Sequence, residues 1–222
     1  MTGSIAKKIN LIKQKIPQNV KLIAITKQVS IEAMKEAYET GVRDFGENRL
    51  QEALTKQQQL KLGDINWHFI GHIQKNKAKK VIENFAWIHS VDSLALAQRL
   101  NRLAAELNRV PKVFLQVKIL PDPNKYGWQV TELWEDLEKL NQFNQLDIQG
   151  LMTILPLGLS PAETLNAFQA TQKLAAAIQE KNYANLTMEQ LSMGMSEDYP
   201  QAIAAGATMI RLGRTIFSDA NS

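Results

Sequence analysis

The 222-residue chain carries a net charge of +4, with 45% hydrophobic and 22% charged residues. This is ordinary globular composition, and so weak a positive charge does not indicate a nucleic-acid partner. The chain has no cysteine, which excludes disulfides, thiolate metal sites and a cysteine nucleophile. No window is apolar enough to span a membrane, and the N-terminus lacks the apolar core of a signal peptide. We therefore expect a cytoplasmic protein with no membrane partner.

Strand-like and helix-like segments alternate along the chain. Residues 1–16 predict an amphipathic helix, because isoleucines recur there on one face. Eight strands follow in the order KLIAIT, VRDFGE, NWHFIG, AWIHSVD, KVFLQVKIL, DIQGLMTIL, NLTMEQLSMG and ATMIRLG. Helical segments separate them, and their predicted N-caps include Ser30, Thr131 and Ser160. At Ser160, Glu163 completes a capping box.

This alternation predicts an α/β fold, a single (β/α)₈ TIM barrel with an extra N-terminal helix, formed by residues 1–222 as one domain. An open doubly wound sheet is the alternative. In a barrel of this kind, functional side chains collect at the carboxyl ends of the strands. The candidate residues are therefore those that follow each apolar run.

Lys27 directly follows the first strand. An amine partly desolvated at the rim of a barrel can attack an aldehyde and form a Schiff base. The competing interpretation is a lysine that leaves the strand and extends to water.

An anion site is indicated by SMGMS at residues 192–196 and RLGR at 211–214. Ser192 and Ser196 offer hydroxyls, and the glycines Gly194 and Gly213 allow a phosphate to approach the backbone. Ser196 is also predicted to begin a helix, whose amides favour an anion. The alternative is that Ser196 is only an N-cap and Gly213 only a turn residue.

Three further features have simpler interpretations. Arg211 ends the last strand among apolar neighbours and needs an acceptor, either a structural carboxylate or a cofactor ring nitrogen. His68 and His72 lack the additional ligands of a metal site, so no metal is predicted. The lysine-rich run QKNKAKK lacks interleaved aromatic residues, so it is interpreted as a solvated helix face rather than a nucleic-acid contact.

Together these motifs resemble the pyridoxal-phosphate-binding PLP homeostasis family, which is similar in fold to the N-terminal barrel of alanine racemase. The matching blocks are AITK, FGENRLQEA, WHFIGHIQKNKAK, IHSVDS, GLMTI, LSMGMSEDY and ATMIRLGRTIF, and they run through nearly the whole chain.

The resemblance implies that Lys27 carries pyridoxal phosphate as an internal aldimine. It implies that Ser192 or Ser196, with the backbone at Gly213 and Arg214, holds the phosphate. It also implies that Arg211 faces the pyridine nitrogen and that Asn48 lies near the ring.

The chain departs from the family pattern at two positions. Many relatives have Thr or Ser in place of Arg214, so a side-chain hydroxyl contact to phosphate is not implied here. Many have Gly in place of Ser218, and the chain ends soon afterwards in DANS, which predicts an irregular or shortened final helix.

The resemblance also implies a function. We expect a cofactor carrier and regulator in vitamin B6 homeostasis, not an enzyme, acting as a monomer with apo-PLP enzymes as possible recipients. The alternative is an alanine-type racemase, which needs a second acid/base on the opposite face of the cofactor. None of the four tyrosines ends a predicted strand, and one barrel uses up the chain. A barrel that binds a sugar phosphate would leave Lys27 unexplained.

Overall fold

The structure, a computed structural model, describes residues 4–218. Its strands are β1 Lys21–Ile25, β2 Asp44–Glu47, β3 Asn66–Phe69, β4 Trp87–Val91, β5 Lys112–Lys118, β6 Trp128–Gln129, β7 Asp147–Met152, β8 Leu186–Ser192 and β9 Met209–Leu212. All eight predicted strands are present, and the two-residue β6 is an addition that pairs only with β5.

The strands form a closed parallel barrel. The order runs from β4 through β3, β2, β1, β9, β8 and β7 to β5, and pairing between β4 and β5 closes the ring. In the pair β1–β9, Ile23 lies opposite Arg211. The predicted TIM barrel is confirmed, and the open sheet is excluded because the ring closes.

Helices surround the barrel. They are α1 Ser4–Lys15, α2 Ile31–Glu39, α3 Leu50–Leu60, α4 Ala78–Asn84, α5 Leu94–Glu106, α6 Val130–Leu140, α7 Pro161–Gln179, α8 Tyr199–Ala204 and α9 Arg214–Phe217. The extra helix α1 buries Ala6, Ile9 and Ile12 and packs against α2 and α9. No helix within residues 4–218 is long and apolar enough to cross a membrane.

The helix caps confirm part of the sequence analysis. Ser30 and Ser160 are N-caps, and Ser160 forms the predicted capping box. Thr131 is not a cap, because Gln129 takes that position and forms a capping box with Glu132. The final helix α9 is a single turn, as the sequence predicted, and residues 219–222 lie outside the described part of the chain.

The prediction that Ser196 begins a helix is wrong. Asp198 is the N-cap of α8, and its carboxylate accepts a hydrogen bond from the Met195 N–H at 2.6 Å. The segment from residue 193 to 198 is therefore a loop after β8, which leaves Ser196 free to face the barrel mouth.

Two cores stabilise the barrel. The larger lies between strands and helices, whereas the smaller lies inside the ring and contains Ile23, Ile25, Trp87, Phe114, Met152 and Met209. The ring also encloses polar side chains, because the alternation along each strand aims His68, His89, Ser192 and Arg211 inward. These four side chains are at most 3% exposed, so each needs a hydrogen-bond partner inside the ring.

Candidate cofactor-binding site

A cavity of about 390 Å³ opens at the carboxyl ends of the strands. This volume lies within the usual range of small-molecule sites. Six of the seven predicted site residues line it, namely Lys27, Asn48, Ser196, Arg211, Gly213 and Arg214. The seventh, Ser192, lies beneath the cavity floor and is fully buried.

Lys27 lies in a turn directly beyond β1. The Val29 N–H donates to the Thr26 carbonyl at 3.0 Å and closes this turn. Thr26 is the last buried residue, and the Lys27 side chain is exposed in the cavity wall. A lysine can therefore follow an apolar strand at this place, because the strand ends where the cavity begins.

Arg211 is a buried cation whose guanidinium meets the cavity from β9. It is 3% exposed, and within residues 4–218 it forms no ion pair. Its Nη1 donates to Ser192 Oγ at 2.7 Å and its Nη2 donates to the Thr153 carbonyl at 2.9 Å. Burial lowers the pKa of Arg211 to about 10, partly offset by the charge of Asp198. The side chain therefore remains charged at neutral pH.

A chain of hydrogen bonds continues from Arg211 through the barrel interior. Ser192 Oγ lies 2.7 Å from His89 Nδ1, His89 Nε2 lies 2.9 Å from His68 Nδ1, and His68 Nε2 lies 2.9 Å from Asp44 Oδ1. A guanidinium can only donate and a carboxylate can only accept. When both imidazoles are neutral, these ends require one direction, in which Ser192 donates to His89, His89 to His68 and His68 to Asp44. Each imidazole then carries its proton on Nε2.

The electrostatics agree with this protonation. Burial lowers the pKa of His68, although its hydrogen bond to Asp44 opposes the shift. Burial lowers the pKa of His89 well below its usual range, and the charge of Arg211, with that of His68 whenever it is protonated, acts in the same direction. Burial raises the pKa of Asp44, but its interactions with His68 and Lys21 outweigh that, so the net shift is downward.

The loops after β8 and β9 bring Ser196, Gly213 and Arg214 to one side of the cavity. Ser196 Oγ accepts the Thr215 N–H at 3.3 Å, which ties the two loops together. Arg214 donates to Glu197 Oε1 at 2.8 Å across an exposed edge. Gly194 lies outside the cavity wall, contrary to the prediction that a phosphate approaches it. Its φ of +94° belongs to the turn after β8, where a side chain would be strained.

Asn48 follows β2 and contributes an amide to the cavity wall. Its buried Oδ1 has no hydrogen-bond partner within residues 4–218. Gly71 allows this arrangement, since a Cβ there would lie 2.1 Å from the Asn48 carbonyl oxygen. The ends of β2 and β3 therefore meet closely, and Asn48 lines the cavity while its Oδ1 is buried.

The far wall of the cavity contains residues that the sequence analysis did not assign to the site. His72 lies 3.0 Å from Asp92 Oδ2 and stacks on Tyr126, with ring centroids 3.8 Å apart. Gln116 Nε2 donates to the Tyr126 carbonyl at 2.9 Å and ties this loop to β5. Lys125 also lines the cavity. The sequence could have indicated Gln116 as a site residue, because it is a polar residue inside an apolar strand. The residues around Tyr126 give no such indication.

Within the described residues, no group of three or more His, Cys, Asp or Glu side chains could hold a metal ion. His68 lies in the core of the barrel. His72 lies at the cavity rim.

Comparison with known proteins decides the family. The family model described as alanine racemase, N-terminal domain, matches residues 2–221. The pyridoxal phosphate homeostasis protein of Synechocystis sp. is 55% identical over 205 residues, which are 92% of this chain and 93% of that protein. The chain belongs to the pyridoxal phosphate homeostasis protein family.

Solved structures agree with this membership. PipY of Synechococcus elongatus PCC7942 without PLP superposes with a TM-score of 0.94 at 50% identity, covering 97% of this chain and 100% of that chain. PipY with PLP bound gives a TM-score of 0.93 at 48% identity, with the same coverage. Alanine racemase of Clostridium difficile covers 98% of this chain and 57% of its own, with a TM-score of 0.80. Its identity is 17%, so this likeness shows the shared barrel fold alone.

The neutral histidines predict a specific sensitivity to acid. Below about pH 6.5 the unfolded chain protonates His68 and His89, whereas burial lowers both pKa values in the folded barrel, which takes up these protons only at lower pH. The unfolded state then binds more protons. The free energy of unfolding should therefore fall as pH falls, by up to about 1.4 kcal/mol per pH unit for each histidine.

Denaturant titrations between about pH 7.5 and about pH 5.5 measure this slope, above the range in which most carboxylates titrate. His89→Gln keeps a polar side chain and removes one of the two buried imidazoles, so it should roughly halve the slope. An unchanged slope in His89→Gln would show that the buried pair does not cause the acid sensitivity.

Proposed function

We propose that the chain is a pyridoxal phosphate-binding protein of intracellular cofactor homeostasis, with the cofactor held as a Schiff base on Lys27. Lys27 and Arg211 open onto one cavity from the paired strands β1 and β9, and this observation carries the proposal. The family membership and the PLP-bound structure of PipY support it. The bound cofactor would supply an aldehyde that joins amines and a ring that stabilises a carbanion.

The residues present fit this cofactor. Lys27 offers a side-chain amine, and Arg211 keeps N–H groups beyond the two that Ser192 and Thr153 accept. Asn48 lines the same cavity, and its buried Oδ1 has no hydrogen-bond partner within residues 4–218. A site prepared for a polar aromatic ring would show these features, because each leaves hydrogen-bonding capacity in the wall.

The phosphate is assigned to the side of the cavity formed by Ser196, Gly213 and Arg214. Ser196 presents a hydroxyl there, and the backbone at Gly213 lies in the cavity wall. Arg214 adds a positive charge at the edge, although it is shared with Glu197. Ser192 is given a different role, since its hydroxyl is engaged by Arg211 and His89 and orients the guanidinium.

Arg211 favours holding the cofactor over broad amino-acid chemistry. With a pKa of about 10 it keeps its proton at neutral pH, so it can donate a hydrogen bond to a ring nitrogen without protonating it. An unprotonated ring is a weaker electron sink than one opposite an aspartate. We therefore propose a monomeric cytoplasmic carrier, formed by residues 1–222 as one domain, that supplies apo-PLP enzymes without substantial catalysis of its own.

One observation favours the second candidate, an alanine-type racemase. No tyrosine ends a predicted strand, yet the loop after β5 brings Tyr126 into the cavity wall beside His72 and Asp92. These side chains are possible acid/base groups. The two candidates therefore differ in whether a proton is exchanged at the substrate Cα.

Replacing Lys27 tests the covalent attachment. Lys27→Ala should abolish both the visible absorbance of chain loaded with pyridoxal phosphate and the label fixed by borohydride, because the bonding amine is gone. Lys125→Ala removes another lysine from the same cavity wall and should keep both signals. A borohydride-stable label at this site in Lys27→Ala would show that another amine holds the cofactor.

Replacing Ser192 and replacing Ser196 should have different effects on the binding of pyridoxal with and without its phosphate. Ser196→Ala should weaken retention of pyridoxal phosphate by about 1–3 kcal/mol and reduce its advantage over unphosphorylated pyridoxal. Ser192→Ala acts through Arg211, so it should weaken both compounds alike. Equilibrium binding of both compounds measures this. If Ser192→Ala alone reduces the advantage of the phosphorylated compound, the two assignments must be exchanged.

A further inference from the structure

The turn that carries Lys27 has an unfavourable backbone conformation. Gln28 has a φ of +59°, in the left-handed region that residues with a side chain rarely adopt. Such a conformation persists where the surroundings fix it, and it is frequent next to functional groups. The backbone on both sides of Lys27 must therefore be held by contacts with the rest of the barrel.

Beneath this turn, α3 buries a lysine in a small ionic network. The Lys56 side chain is 8% exposed, and its Nζ contacts Glu47 Oε1 at 2.8 Å, Glu52 Oε1 at 2.6 Å and the Thr26 carbonyl at 2.5 Å. An ammonium group has three protons, and here each has an acceptor. We call Lys56, Glu47 and Glu52 the charged clamp.

The charged clamp contacts the residues on either side of Lys27. Before it, the Thr26 hydroxyl donates to Glu47 Oε1 at 2.6 Å, in addition to the carbonyl contact with Lys56. After it, the Gln28 N–H donates to Glu52 Oε1 at 2.6 Å. Both flanks of Lys27 are thus held by one network of charges, in which Lys56 and Glu47 are buried and Glu52 is partly exposed.

The carboxyl groups of the clamp differ in environment. Burial raises the pKa of Glu47 despite its bonds to Lys56 and Thr26. Burial also acts on Glu52, but its bonds to Lys56 and to the Gln28 N–H outweigh this and lower its pKa. The charged form of Glu52 is therefore stabilised by the very contacts that fix the turn.

We propose that the charged clamp positions Lys27 for bond formation, by holding the 26–28 backbone so that the side chain leaves the barrel toward the cavity. The inference rests on the proposed role of Lys27. Apart from their contacts with one another, the side chains of the charged clamp form hydrogen bonds within residues 4–218 to Thr26 and Gln28 only, so they are positioning residues and not catalytic ones. A network that only packed α3 against the barrel would not need to contact the Gln28 amide.

Glu52→Ala is the informative variant, because Glu52 is the most exposed member and removing it leaves the Lys56–Glu47 pair. In the chain prepared without cofactor, hydrogen exchange of the Gln28 amide should quicken roughly tenfold or more. On addition of pyridoxal phosphate, bond formation at Lys27 should slow by roughly tenfold. Binding of pyridoxine phosphate, which has an alcohol in place of the aldehyde, should stay unchanged.

Three further variants sharpen the test. Glu52→Gln keeps an acceptor for the Gln28 N–H and should stay near wild type in both rates. Gln28→Gly added to Glu52→Ala relieves the left-handed conformation and should restore part of the loading rate. Glu106→Ala breaks another i,i+4 pair, with Arg102 on the exposed surface of α5, and should change neither rate.

The two proposals fail in different ways. If wild type forms no bond at Lys27, the proposed function is wrong, while the exchange of the Gln28 amide still tests the clamp. Unchanged exchange in Glu52→Ala overturns the clamp. So does a slower loading that is matched by weaker binding of pyridoxine phosphate, since the whole cavity would then be deformed.

Discussion

Pairing between the first and last strands is the interaction on which the site depends. β1 and β9 are parallel neighbours, with Ile23 opposite Arg211. Because parallel strands end at the same face, Lys27 and Gly213 open onto one cavity although they lie near opposite ends of the chain. The buried apolar residues that close the barrel therefore also assemble the site.

The buried charged and polar side chains beneath the cavity form hydrogen bonds with fixed partners and a fixed direction of donation. Arg211 heads a chain of donors that ends at Asp44, and with both imidazoles neutral the carboxylate at one end and the guanidinium at the other permit a single proton arrangement. Desolvation of a cation is costly, and leaving a buried donor without its hydrogen-bond partner typically costs about 1–3 kcal/mol, and more for a charged group. The barrel thereby presents a positive donor in one orientation, which suits donating a hydrogen bond to an acceptor more than transferring a proton.

The fold and many of the residues that line the cavity could be predicted from the sequence, because both depend on patterns of neighbouring residues. Apolar runs separated by capped helices indicated the eight strands. Because Lys27 and Arg211 end the first and last of these strands, they were expected at the same end of the barrel, where both line the cavity. The sequence did not allow prediction of side chains whose surroundings are formed by residues far away in the chain. Lys56 looks like a surface lysine in a glutamine-rich helix, yet α3 buries it beneath β1. Tyr126 enters the cavity from a loop whose path depends on its bond to Gln116.

Proton exchange at the Cα of alanine tests most directly whether the barrel holds its cofactor or turns over a substrate. The loaded protein is incubated with L-alanine in deuterated water, and deuterium at Cα and the formation of D-alanine are followed by NMR and chiral chromatography. Our account predicts neither above the rate of free pyridoxal phosphate at the same concentration. Steady conversion at an ordinary enzyme rate, about 10 per second, would contradict it and assign the acid/base groups of the far wall to catalysis.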